Sequence, residues 1–88
     1  MRVAIIGAGL QCRRRAPVVK ETRGCELKVI ASLHLDHARE MAVKMGCEAS
    51  DDCKGTVARS DIDAVILCTP PHVHAELGMA AMSAGKHV

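Results

Sequence analysis

Val3-Ala4-Ile5-Ile6-Gly7-Ala8-Gly9-Leu10-Gln11-Cys12 is the stretch that decides the fold of this chain. Its first four residues form a short apolar run, suited to a strand buried on both faces. Two glycines follow, and a helix-forming segment follows them. In the pattern G-x-G-x-x-G the first glycine permits a tight turn, the second lets backbone approach a pyrophosphate, and the third allows close helix–strand packing. Gly7 and Gly9 fill the first two places. Cys12 stands in the third, where its side chain needs a small neighbour or else holds the helix slightly away. A helix beginning here offers N–H groups and a positive dipole end to an anion. Gly7, Ala8, Gly9, Leu10 and Gln11 are therefore the candidates to hold linked phosphates.

Working outward, a helix is expected from about Leu10 to Thr22, kinked or broken at Pro17, whose ring removes a backbone donor. Leu27 to Leu33 reads as a second strand. Asp36 offers an N-cap to a helix carrying Ala38, Met41, Ala42 and Met45 at helical spacing, and Gly46 ends it. Cys47 to Ser50 suits a short third strand. Asp51 and Asp52 then head a weak helix ending near Arg59; capping explains these paired carboxylates better than metal or acid–base chemistry. Ala64 to Thr69 is the clearest strand, and Pro70-Pro71 forces an extended turn after it. A helix from about His72 to Ala84 has Val73, Leu77, Ala80, Ala81 and Ala84 as its buried stripe, and His87-Val88 begins a fifth strand. Alternating strands and helices make this an α/β chain: a partial Rossmann fold, a doubly wound parallel sheet of about four strands with flanking helices.

That topology returns the fourth strand beside the first, on the side away from the second. The crevice at the switch point is then lined by the Gly7 turn and the Thr69-Pro70 loop. The template also expects an acid about 20 residues past the glycines, on the ribose 2′-hydroxyl. Ser32 occupies that position. Serine does not repel a 2′-phosphate, so the cofactor is NADP or NAD with a lean to NADP. No arginine follows Ser32, because Leu33 does, which leaves Arg13, Arg14 or His34 to reach such a phosphate.

Composition narrows the alternatives. The chain of 88 residues has a formal net charge of +2 and no Phe, Tyr or Trp. Without a wider basic stripe or stacking platform, nucleic acid is not an expected partner. No run approaches membrane-spanning length, and the N-terminus does not read as a signal peptide. Five cysteines without a C-x-x-C pair favour reduced thiols in a cytoplasmic protein over a zinc site or a disulfide framework. A core this small is marginal alone, and an unpaired sheet edge favours self-association into a homo-oligomer.

Four segments together carry a family resemblance: VAIIGAG (3–9), DIDAV (61–65), TPPHVH (69–74) and AGKHV (84–88). With them the chain resembles the N-terminal end of the Gfo/Idh/MocA oxidoreductases. The resemblance implies that Gly7 and Gly9 form the phosphate turn, and that Ser32 reads the ribose. It implies further that Thr69 and Pro70, with Pro71 beside them, lie under the nicotinamide ribose. His74 matches a family histidine that contacts cofactor or substrate, with a structural role at the helix start as the alternative. The family's Glu-Lys-Pro motif with its catalytic lysine, and the substrate domain with its acid–base histidine, lie beyond Val88. Residues 1–88 are thus expected to be the N-terminal part of a dinucleotide-binding domain, with the substrate domain absent and no catalytic residue present. A small-molecule substrate, a sugar, polyol or related alcohol, is expected only for a full-length parent. The alternative is a non-catalytic nucleotide-binding or interaction module. A flavin protein is disfavoured by the lack of a glutamate at Ser32, and a methyltransferase by the lack of an acid before the glycines.

Overall fold

Val3, Ala4, Ile5 and Ile6 are all buried, because their strand lies in the middle of a parallel sheet with helices on both faces. The structure is a computed structural model. It describes residues 1–69 and 71–88, with the side chains at positions 10 and 71–74 excepted. The elements are β1 (Arg2–Ile6), α1 (Leu10–Glu21), β2 (Glu26–Ala31), α2 (Leu35–Met45), β3 (Glu48–Ser50), α3 (Cys53–Val57), β4 (Ala64–Leu67) and α4 (Pro71–Ser83). The sheet order is β3-β2-β1-β4, and every pairing is parallel.

The pleat divides the core in two. Val3 and Ile5 of β1 face α1 and α2, where Cys12, Ala16, Val19, Ala38 and Met41 are buried with them. Ala4 and Ile6 face the other way, toward Val57, Leu77 and Ala81 of α3 and α4. Residues of alternating side on one strand thus serve two layers, which is why β1 reads as an unbroken apolar run. Ile6 is level with both Ala31 and Leu67, so the chain leaves β1, β2 and β4 at the same end of the sheet.

The opposite end is held by charge. Arg2 donates from its backbone N–H to Asp63 Oδ2 at 2.7 Å and from Nε to the same oxygen at 3.1 Å. Asp63 N–H returns a bond to the Arg2 carbonyl at 2.8 Å. Arg59 bridges Glu48, at the start of β3, and Asp61, while Lys86 Nζ donates to the Arg59 carbonyl at 2.6 Å. His87 forms a parallel bridge to Ala64 on the outer side of β4, where a fifth strand is expected.

Three local expectations are corrected. Pro17 neither breaks nor ends α1, which runs unbroken past it. The carbonyl deprived of a donor is that of Arg13, an exposed residue whose oxygen can bond water, and buried Cys12, Ala16 and Val19 hold the helix on both sides of the proline. Asp36 is not the N-cap of α2; His34 takes that place, and Asp36 falls in the first turn, where its charge still complements the helix dipole. Ala84 lies past the end of α4 and is exposed, whereas Leu77 and Ala81 are buried as expected. Strands β2 and β4 also end earlier than read, at Ala31 and Leu67, so Ser32 and Thr69 belong to loops.

Candidate functional site

Gly7 has φ +104°, and a Cβ built there would stand 2.6 Å from the Cys68 carbonyl oxygen. No residue with a side chain fits. The Gly7 N–H also donates to the Ala31 carbonyl at 2.6 Å, so the turn is wedged between the ends of β2 and β4. Gly9 is different: its φ of −86° is open to any residue, and among the described residues nothing lies within 4 Å of the position its Cβ would take. The described residues leave the space in front of Gly9 clear. Gly9 is also the N-cap of α1, with no side-chain cap, and the first internal bond of the helix runs from Arg13 N–H to the Gly9 carbonyl at 3.1 Å. The amides ahead of it have no intrahelical acceptor. The first turn holds no acidic residue, so the anion-attracting end of α1 is not neutralised from within.

A cleft of about 610 Å³ opens at this end of the sheet. Gly7, Ala8 and Gly9 form one wall; Ser32, Leu33, His34 and His37 another; the Asp51–Lys54 stretch, Cys68, Thr69, Glu76 and Leu77 complete it. Ser32 is buried, and its Oγ accepts the His34 N–H at 3.2 Å, which shapes the turn from β2 into α2. The Thr69 Oγ1 is buried and has no hydrogen-bond partner among the described residues. A buried hydroxyl in that state costs free energy unless something supplies a partner. Lys54 Nζ and Glu76 Oε1, from α3 and α4, pair at 2.8 Å on the cleft wall, and each holds the other in its charged form.

Cys12 does not line the cleft. It is fully buried in the α1 side of the core, in a cluster that includes the small residues Ala8, Ala16, Ala38 and Ala49. Burial pushes its thiol up to about 11, so it is neither a plug nor a nucleophile at neutral pH. Asp52 caps α3, accepting the Gly55 N–H at 2.9 Å, which is the role read for one of the paired aspartates. Among the described residues no group of three or more His, Cys, Asp or Glu is placed to hold a metal ion. None of the helices is long and apolar enough to cross a membrane.

The structure therefore brings together Gly7, Ala8, Gly9, Ser32 and Thr69. Gln11 lines a separate hollow beside Arg15 and Cys68, and its backbone N–H belongs to the first turn of α1. Pro70 and the side chains of Leu10, Pro71 and His74 lie outside the described residues. Three residues of the cleft escaped the sequence reading. His37 had a local signal, three positions after His34 at a helix start, where i and i+3 share a face. Lys54 and Glu76 had none, because their pairing is made only by the packing of α3 on α4.

Comparison with known proteins agrees with this geometry. The model of the Gfo/Idh/MocA oxidoreductase family, NAD-binding Rossmann fold, matches residues 1–88. A 4-carboxy-2-hydroxymuconate-6-semialdehyde dehydrogenase from Sphingobium sp. is 44% identical, with all of this chain matched to 28% of that protein. A myo-inositol 2-dehydrogenase from Thermotoga maritima is 34% identical, with all of this chain matched to 27% of it. A solved 3-ketoreductase from Actinomadura kijaniata, in complex with NADP, superposes with TM-score 0.92 at 34% identity over all of this chain and 28% of that one. A scyllo-inositol dehydrogenase from Lactobacillus casei, with bound NAD(H) and scyllo-inositol, superposes with TM-score 0.91 at 26% identity over all of this chain and 26% of that one. The chain thus spans little more than a quarter of the length of these relatives. With strand order, glycine turn and family match all in accord, the chain belongs to the Gfo/Idh/MocA oxidoreductase family and forms its NAD-binding Rossmann fold.

Proposed function

We propose that this chain holds a nicotinamide dinucleotide across the ends of β1, β2 and β4, as the N-terminal part of the cofactor domain of an oxidoreductase. The observation that carries the reading is the clear space before Gly9 at the uncapped start of α1. Backbone N–H groups meet a pyrophosphate there without obstruction. Ser32, which lines the cleft at the end of β2, is suited to meet the adenosine ribose. The buried Thr69 hydroxyl, free of protein partners among the described residues, is suited to bond a ribose or carboxamide group. Pro70, Pro71 and His74 are assigned to the same loop by their place in the sequence.

A bound nicotinamide supplies the hydride chemistry; the protein's part is to orient the ring and keep it from side reactions. None of the residues described is assigned a catalytic role. A substrate domain beyond this segment would supply the general base and the small-molecule pocket. From the inositol dehydrogenases and the ketoreductase among its relatives, the substrate class is a sugar, polyol or related alcohol. The cofactor is NADP in preference to NAD, because the Ser32-Leu33-His34 turn lacks the acid that reads a free 2′-hydroxyl. Neither nucleic acid nor a membrane is a partner in this reading, and the protein works in the cytoplasm.

Calorimetric titration of the intact protein with NADP⁺ and NAD⁺ tests the assignment. Saturable binding of one dinucleotide per chain is expected, and Gly9→Leu, which fills the clear space, abolishes it while the fold persists. Failure of the intact protein to bind either dinucleotide overturns it.

A further inference from the structure

Leu33 occupies the place after Ser32 where a basic residue would answer a 2′-phosphate, and its side chain is 73% exposed. The charge has to come from elsewhere, and the fold supplies it from two other elements. His34 and His37 stand with ring centroids 5.2 Å apart, both exposed on the cleft beside Ser32. Arg13, in the first turn and a half of α1, shares a smaller hollow with Gly9 and His37. An arginine from α1 and an imidazole from α2 thus flank the same hollow next to Gly9, and the second imidazole, on the β2–α2 turn, lines the adjoining cleft that His37 and Gly9 also line.

We propose that Arg13, His34 and His37 form the rim that selects a 2′-phosphorylated dinucleotide, in place of an arginine at the end of β2. The inference rests on the dinucleotide reading above and adds to it the residues that set cofactor choice. Each imidazole carries at least one N–H donor in either protonation state, and the guanidinium is always charged. Ser32 Oγ accepts the His34 N–H, which leaves the hydroxyl proton free to donate outward. Phosphate oxygens, as charged acceptors, strengthen every one of these bonds.

Most of the acids around the space have partners of their own. Glu40 lines the hollow shared by Arg13 and His37 but lies 3.8 Å from Lys44 Nζ, one turn further along α2. Asp52 is committed to the cap of α3, and Glu76 to Lys54. Asp51, on the β3–α3 loop, is the remaining carboxylate of the cleft. If Asp51 instead held the ribose diol, the chain would prefer a free 2′-hydroxyl, and the two ideas predict opposite selectivity.

The test compares 2′,5′-ADP with 5′-ADP as ligands of the intact protein, by calorimetry at low and moderate ionic strength. The wild type is expected to bind 2′,5′-ADP roughly tenfold or more tightly, the scale of one or two charge-assisted hydrogen bonds. That ratio falls as salt is added, because the site is open to solvent. His37→Ala and Arg13→Ala each lower the ratio several-fold by weakening 2′,5′-ADP alone; His37→Gln, which keeps a donor, retains part of it. These positions are exposed, and a thermal melt of each variant checks that the fold is kept. A wild-type preference for 5′-ADP overturns the proposal while leaving dinucleotide binding intact, as does a ratio unmoved by both alanine variants. Binding of neither ligand overturns the dinucleotide reading, and this inference with it.

Discussion

Alanine at position 7 would set a methyl group 2.6 Å from the Cys68 carbonyl oxygen and hold a Cβ-bearing residue at φ +104°. Gly7→Ala is therefore expected to lower unfolding free energy by about 3 kcal/mol, read as a fall in the urea midpoint. Gly9→Ala meets no atom of the described residues and adopts an ordinary φ. It should leave the midpoint within about 0.5 kcal/mol of wild type yet weaken dinucleotide binding measurably. Equal stability losses at both glycines would contradict this division of labour. Thr69→Val removes a buried hydroxyl that lacks a partner among the described residues. The expected result is unchanged or higher Tm without cofactor, by up to about 1–2 kcal/mol in stability, together with weaker cofactor binding; a marked drop in Tm would mean that the hydroxyl is already satisfied. At this scale the sequence was readable where backbone geometry allows only glycine. It was unreadable at Cys12, because the buried cluster that takes in the thiol is drawn from several different elements.

Elements were legible where periodicity and burial coincide, as in α2, where Ala38, Met41 and Ala42 are the buried face. Pro17 does not break α1, where anchoring on either side of it outweighs the lost backbone bond. The charged clasp between β1 and β4 had no local signature, since Arg2 and Asp63 meet only through strand pairing. Hydrogen bonds from the Arg2 side chain and backbone hold the Asp63 carboxyl far below the usual carboxylate range. A carboxylate depressed in the folded state adds stability above its unfolded pKa, and that stability is lost as pH falls through the folded value. Asp63→Asn should accordingly lower Tm at pH 7 relative to wild type. The gap should narrow as pH drops below about 4, the ordinary aspartate range, in melts followed by circular dichroism. A gap independent of pH would assign the loss to packing instead.

For the whole molecule, the alternation of strand and helix was enough to anticipate that β4 lies beside β1 on the side away from β2, because right-handed crossovers leave few alternatives. The walls of the cleft were less legible: the α3–α4 side depends on tertiary packing that no short motif encodes. Among the described residues the outer edge of β4 is bridged only at Ala64 by His87, and Ile66 and Leu67 remain partly exposed beside Val88. Residues 1–88 expressed alone are thus expected to self-associate through this edge, with apparent mass rising with concentration in sedimentation experiments. A monomer at every concentration, melting cooperatively, would show that the edge is protected by other means. The ion pairs that tie the sheet together, Arg2–Asp63 and Glu48–Arg59–Asp61, all sit at the strand ends remote from the cleft. Fastening and recognition are thereby placed at opposite poles. If residues 32–37 set nucleotide preference as proposed, variation there retunes it without loosening the fasteners, and descendants of such a chain are free to exchange cofactors while inheriting the same scaffold.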